Sequence, residues 1–138
     1  MLARAQVRYV ITVAMRRQKQ VLGQRGEEEA ANFLRAHGYV VIAQNYRSPY
    51  GEIDLIVQDR GVVVFVEVRS SSGQVFDDPL GSVNWRKQRQ VAKTALYYLT
   101  RNGLENREAR FDVIGILWDS GQVRIHHITD AFELPRSW

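Results

Sequence analysis

Four charged side chains interrupt the most apolar part of the chain. Within GEIDLIVQDRGVVVFVEVRS, residues 51–70, Glu52, Asp54 and Glu67 stand among Val, Ile and Leu, and Arg69 follows Glu67 by two. Side chains along a strand alternate between faces. If Arg60-Gly61 is a two-residue hairpin turn, Asp59 meets Val62, Gln58 meets Val63, Ile56 meets Phe65, Asp54 meets Glu67 and Glu52 meets Arg69. One face is then aliphatic, with Ile53, Leu55, Val57, Val62, Val64, Val66 and Val68. The other collects its polar groups at one end. A three-residue turn would put the acids on opposite faces, and a slip of one residue is costly where a face is buried.

In the favoured register two carboxylates lie opposite each other with Cβ atoms ~5 Å apart. Their repulsion near apolar surroundings raises at least one pKa unless a cation neutralises the pair. Mg²⁺ accepts hard oxygen ligands of this kind, one or two carboxylates together with waters and substrate phosphate. The pattern therefore offers a metal seat on a rigid hairpin. The competing reading is structural: Glu52 pairs with Arg69, and Asp54 and Glu67 sit at a solvated sheet end.

The surrounding elements must hold that hairpin. RGEEEAANFLRAHG predicts a helix over 24–37, with Ala30, Ala31, Phe33 and Leu34 as its apolar stripe and Gly38 as its stop. A short strand follows over 39–44, then a loop marked by Asn45, Pro49 and Gly51. The hairpin strands run over 52–58 and 62–69, and 70–81 is a loop. Residues 83–101 form the strongest helical pattern, with Ser82 as N-cap. Its spacing puts Trp85, Ala92, Ala95, Leu96 and Leu99 on one side and Arg86, Arg89 and Lys93 on another, with Lys87 nearer the apolar edge. Strands over 109–118 and 122–128 close the chain around Asp119-Ser120-Gly121. Helix, three strands, helix, two strands describes a mixed α/β layer fold.

Composition narrows the function. The 138 residues are 45% hydrophobic and 25% charged, enough for one domain with a real core. There is no cysteine, which removes disulfide frameworks and thiolate metal sites and suits a reducing cytoplasm. The formal charge of +4 is unevenly spread. Residues 1–26 and 79–104 carry bases and no acid, a balance compatible with polyanionic partners. The N-terminal apolar run VRYVITVAM is far shorter than the ~20 residues that span a bilayer, and no cleavage-site pattern follows it. Residues 1–22 read as a basic extension, disordered or helical, with Met15 as an alternative start, and 23–138 as a single domain. His126 and His127 point to opposite faces of a strand, so at most one could join a metal site. Asp112 at a strand start suits a bond to backbone or to a nearby arginine. No phosphate loop, dinucleotide fingerprint or zinc spacing is present.

The motifs GQRGEEEAANFL, GYVVIAQNYRSPYGEIDLIV, VVFVEVRS, the lysine-bearing helix start at Lys87, RFDVIGI and HHITDAF together resemble the YraN family of small bacterial proteins. That family is assigned to the restriction-endonuclease-like, PD-(D/E)xK nuclease superfamily. The resemblance runs over about residues 23–132 and implies a restriction-endonuclease-like core, a mixed β-sheet flanked by helices in the order α-β-β-β-α-β-β. It implies Glu27, Asp54 and Glu67 as catalytic carboxylates that hold Mg²⁺ or Mn²⁺, with the Val68 carbonyl as a lesser candidate. Arg69 stands where the superfamily has lysine. Arginine keeps the charge and can clamp phosphate bidentately, but it is always protonated and cannot act as a base. Lys87 or Lys93 is the alternative source of an ammonium group.

The implied activity is metal-dependent hydrolysis of DNA phosphodiester bonds, with branched or damaged DNA among the substrates. Arg86, Lys87, Arg89, Lys93 and Arg47, with Tyr50, would meet the nucleic acid. The expected partner is DNA, not a membrane; a homodimer is compatible, and the location is cytoplasmic. The alternatives are a non-catalytic nucleic-acid-binding module of the same fold and a protein-interaction domain.

Overall fold

A computed structural model describes residues 23–72 and 79–133. The expectations for residues 1–22 lie outside these. Helix α1 covers 23–36. Strands β1 (Val40–Ser48), β2 (Gly51–Asp59) and β3 (Val62–Ser72) follow, then helix α2 (Trp85–Arg101) and strands β4 (Ala109–Asp119) and β5 (Gln122–Phe132). The five strands form one sheet in the order β1-β2-β3-β4-β5. Only β3 and β4 run parallel, and the other neighbours are antiparallel. Parallel neighbours need a long crossover, and α2 lies in that connection. This is the α-β-β-β-α-β-β order of a restriction-endonuclease-like core.

The helices occupy different cores. Ala30, Ala31 and Leu34 of α1 pack with Leu55, Val57, Val64, Val66, Val68, Ile114 and Ile116. Val91, Ala92, Ala95, Tyr98 and Leu99 of α2 pack with Ile56, Val63, Phe65, Phe111 and Val113. The inner strands β2 to β4 are thus covered on both faces, which is why they read as nearly continuous apolar runs. At Gly26 the first turn of α1 lies so close to the Ser70 side chain that a Cβ would collide with it. That close approach seats the first turn of α1 against β3, and the next residue, Glu27, interacts with Asp54, Glu52 and Asn45 of β2 and β1.

The β2–β3 turn is the predicted two-residue one. Arg60 (φ 50) and Gly61 (φ 85) both lie in the left-handed region, as a type I′ turn requires. Asp59 pairs with Val62, Gln58 with Val63 and Ile56 with Phe65, as expected.

Several boundaries differ for identifiable reasons. The first strand continues through the predicted loop to Ser48, pairing along β2. It was hard to recognise because it is a sheet edge with exposed positions, and because Asn45 adopts φ 53 within it. The second helix begins at Trp85, and its N-cap is Asn84 rather than Ser82. Val83 enters the core ahead of the helix, whereas Trp85 is 64% exposed beneath the Arg89 guanidinium, 5.1 Å from the ring centroid. Leu96 is also exposed, and Thr94 and Tyr98 are buried in the face expected to be wholly apolar. Thr94 is satisfied there, its hydroxyl donating to the Gln90 carbonyl and accepting from Ser48.

The Asn84 Oδ1 accepts the Lys87 backbone N–H at 3.0 Å. Replacing Asn84 with alanine is expected to cost about 1 kcal/mol, measurable by urea denaturation, and to loosen the helical turn that carries Lys87.

Candidate active site

The hairpin ladder stops where the acids begin. Its last pair is Leu55 with Val66. Asp54 and Glu67 are therefore not the ladder pair that alternation predicts, and Glu52 does not oppose Arg69 in a ladder. Instead the Asp54 Oδ2 accepts the Val68 backbone N–H at 2.8 Å, a side chain taking a bond that a neighbouring strand would otherwise make. Alternation fails at the same place. Ile53 packs in the α2-side core with Ile56, while Leu55 packs on the α1 side.

Glu67 is 1% exposed. Its Oε2 lies 3.6 Å from the Lys87 Nζ, an ion pair longer than a hydrogen bond. Its Oε1 is buried with no partner. Burial, and next the charge of Asp54, push its pKa up from 4.5 to about 8 against the opposing pull of Lys87, Arg69 and the Asp54 backbone N–H. Asp54 is raised too, first by burial and also by Glu52, while the Val68 N–H, Lys87 and Arg69 act the other way. For both acids Lys87 counts for more than Arg69. The Arg69 Nε is buried without a partner.

Glu27 reaches this end of the sheet from α1. Burial first, then Asp54 and Glu52, raise its pKa, and a side-chain hydrogen bond from Asn45 lowers it. In the sequence Asn45 signals a loop, and the same residue type accounts for its place here, because asparagine is enriched among non-glycine residues at positive φ.

These residues fit a divalent cation in part. Two repelling carboxylates, one with an unpartnered buried oxygen, form the hard-oxygen donor set that Mg²⁺ or Mn²⁺ takes. Among the described residues, however, no group of three or more His, Cys, Asp or Glu side chains is arranged to hold a metal. The geometry thus brings Asp54 and Glu67 together and keeps Glu27 within electrostatic reach.

The raised Glu67 pKa has a consequence for stability. Between about 4.5 and 8 the folded chain holds a proton that the unfolded chain releases. The metal-free protein should therefore lose stability as pH rises through that window, with a slope approaching about 1.4 kcal/mol per pH unit from this group. Denaturation series should show Glu67→Gln flattening the slope, and Mg²⁺ or Mn²⁺ stabilising the wild type more at the alkaline end than at the acid end.

The other expected residues are spread around this centre. Arg47 pairs across the β1–β2 ladder with Glu52 at 3.4 Å, so Glu52 answers to Arg47 rather than to Arg69. Arg86 and Lys93 are exposed on α2. Asp112 is fully buried elsewhere, accepting from Arg110 at 3.0 and 3.2 Å, from the Asp130 backbone N–H at 3.0 Å, and meeting the His127 Nε2 at 2.7 Å. Arg110 also reaches Asp59 and the Tyr39 hydroxyl. His127 and Asp112 thus belong to a satisfied structural network.

Among the described residues no helix is long and apolar enough to cross a membrane. The sequence profile of the uncharacterised protein family UPF0102 matches residues 26–116. A UPF0102 protein of Persephonella marina is 39% identical over 114 residues, covering 83% of this chain and 95% of its own. One from Pelobacter propionicus is 44% identical over 115 residues, covering 81% and 82%. One from Symbiobacterium thermophilum is 46% identical over 112 residues, covering 80% and 95%. With the α-β-β-β-α-β-β core in place and relatives matched along most of its length, this chain belongs to the UPF0102, or YraN, family.

Proposed function

We propose that the chain is a metal-dependent nuclease that hydrolyses DNA phosphodiester bonds, with branched or damaged DNA as its substrate class. The observation that carries this reading is the Glu67 carboxylate, buried beside Asp54 and Lys87 with one oxygen unpartnered. A structural ion pair at that depth would be expected to satisfy both oxygens. Asp54 and Glu67 would hold Mg²⁺ or Mn²⁺, with Glu27 adding charge at the edge. A bound divalent ion would supply Lewis-acid polarisation of the phosphoryl oxygen and a lowered pKa for its water.

The chain's own residues divide the remaining work. Arg69 cannot accept a proton, but its fork can orient a phosphate bidentately. Lys87 approaches Glu67 from the helix and provides the ammonium group that the arginine position lacks. Its charge would stabilise the pentacovalent phosphate as negative charge develops. Arg86, Arg89 and Lys93 lie along the same helix and would make phosphate contacts, which place the substrate without reading its sequence.

The deciding experiment incubates the purified chain with branched, single-stranded and duplex DNA in Mg²⁺ or Mn²⁺. Cleavage that needs the metal supports the proposal, and its absence on every substrate sinks it. Arg69 in the lysine position favours a second reading, a DNA-binding module without turnover. Salt-dependent binding without metal-dependent cleavage would select that one.

A further inference from the structure

A cavity of about 550 Å³ opens along α2, lined by Tyr50, Lys93, Leu96, Tyr97, Thr100 and Arg101. Tyr50 comes from the β1–β2 turn, and the other five residues from the last turns of the helix. The two tyrosine rings meet edge to face, with centroids 6.1 Å apart and planes at 71°. The Arg101 guanidinium lies 5.2 Å from the Tyr97 ring centroid. Tyr50 and Leu96 remain 53% and 47% exposed, although both are large and apolar. The helix carries no acid anywhere along Trp85–Arg101.

We infer that this slot binds one unpaired base of a single DNA strand, with Lys93 and Arg101 on the flanking phosphates. The inference rests on the nuclease reading and deepens it, by naming single-stranded segments as part of the substrate. Aromatic faces beside cations are the usual platform for single strands, because every base has a π-face while a stacked duplex hides it. An acidic peptide would satisfy the cations and leave the rings unused. Position supports the same occupant. Lys93 lies six residues beyond Lys87, ~9 Å along the helix axis and about 120° around it, and Tyr50 of the slot directly precedes β2, the strand that carries Asp54, so a strand leaving Asp54 and Glu67 meets the slot at Tyr50.

The test measures binding of the full chain to a labelled oligothymidylate and to a duplex of equal length, by fluorescence anisotropy in chelator. Without metal the readout is independent of cleavage, so an inactive enzyme and an empty slot give different results. Tyr50→Leu and Tyr97→Leu keep apolar volume and remove the rings. Each is expected to weaken the single strand roughly 5- to 150-fold, the range of one lost base stack. Thermal melting of both variants and duplex affinity of Tyr97→Leu should barely change. A loss in Tyr97→Leu that is equal on the duplex, no loss on the single strand in either variant, or a strand displaced equally well by polyglutamate would overturn the inference. Binding only to the ribonucleotide strand would overturn its assignment to DNA.

Discussion

Asp54→Ala is expected to abolish the calorimetric signal of Mg²⁺ or Mn²⁺ binding and to lower phosphodiester cleavage by at least about 10²–10³-fold, as losses of transition-state electrostatics do. Asp54 lies close enough to Glu67 to raise that group's pKa, so its removal takes away a proposed metal ligand together with the repulsion that a metal would relieve. Alanine also leaves the Val68 N–H without the oxygen it meets at 2.8 Å. An unsatisfied buried donor costs about 1–3 kcal/mol, so the loss of signal must be separated from unfolding. Asp54→Asn does this. It retains an acceptor for Val68 but lacks the charge, and it should melt near the wild type while still failing to bind metal. Metal binding or cleavage that survives in both variants would remove Asp54 from the site.

Asp112→Ala is expected to cause the largest loss of stability, on the order of 3–5 kcal/mol. The carboxylate is inaccessible, and it joins Arg110, His127 and the Asp130 backbone N–H. Its removal takes from Arg110 and from the half-buried His127 the carboxylate they share and leaves the Asp130 N–H without its acceptor, which is why the effect exceeds that of a surface ion pair. Burial alone would raise the Asp112 pKa, but the bonds from His127, Arg110 and the Asp130 N–H, with the Arg110 charge, outweigh it and hold it low. A depressed carboxylate stabilises the fold above the ordinary aspartate range and loses that contribution as pH falls through its folded value. Wild-type stability should fall in acid for this reason, and Asp112→Asn should remove that dependence. Glu67 acts with the opposite sign on the alkaline side. The two groups together predict a stability maximum between them, readable from melting temperatures across pH.

The central hairpin was legible in the chain itself. Alternating aliphatic residues and the Arg60-Gly61 turn specify its register, because a shift would turn every side chain to the wrong layer. The order of helices and strands followed in the same way, from periodicity and turn residues. Individual faces were less secure. Trp85 and Leu96 fit the apolar side of a helical wheel, yet both remain exposed, since the sheet covers only the face carrying Val91, Ala92, Ala95, Tyr98 and Leu99.

What only the tertiary structure decided is which charges meet. Sequence spacing places a side chain on a face of its own element, but not beside a residue on another. Glu52 is therefore a sequence-level partner for Arg69 and proves to answer Arg47, in the part of the edge strand that reads as loop. Lys87 lies twenty residues from Glu67 in the chain and 3.6 Å from it in space, because the crossover helix returns over the sheet. The end of the β2–β3 ladder is equally invisible from spacing. There Asp54 takes a backbone bond from Val68, and this divergence of the strands, rather than alternation, sets the two carboxylates in their relation.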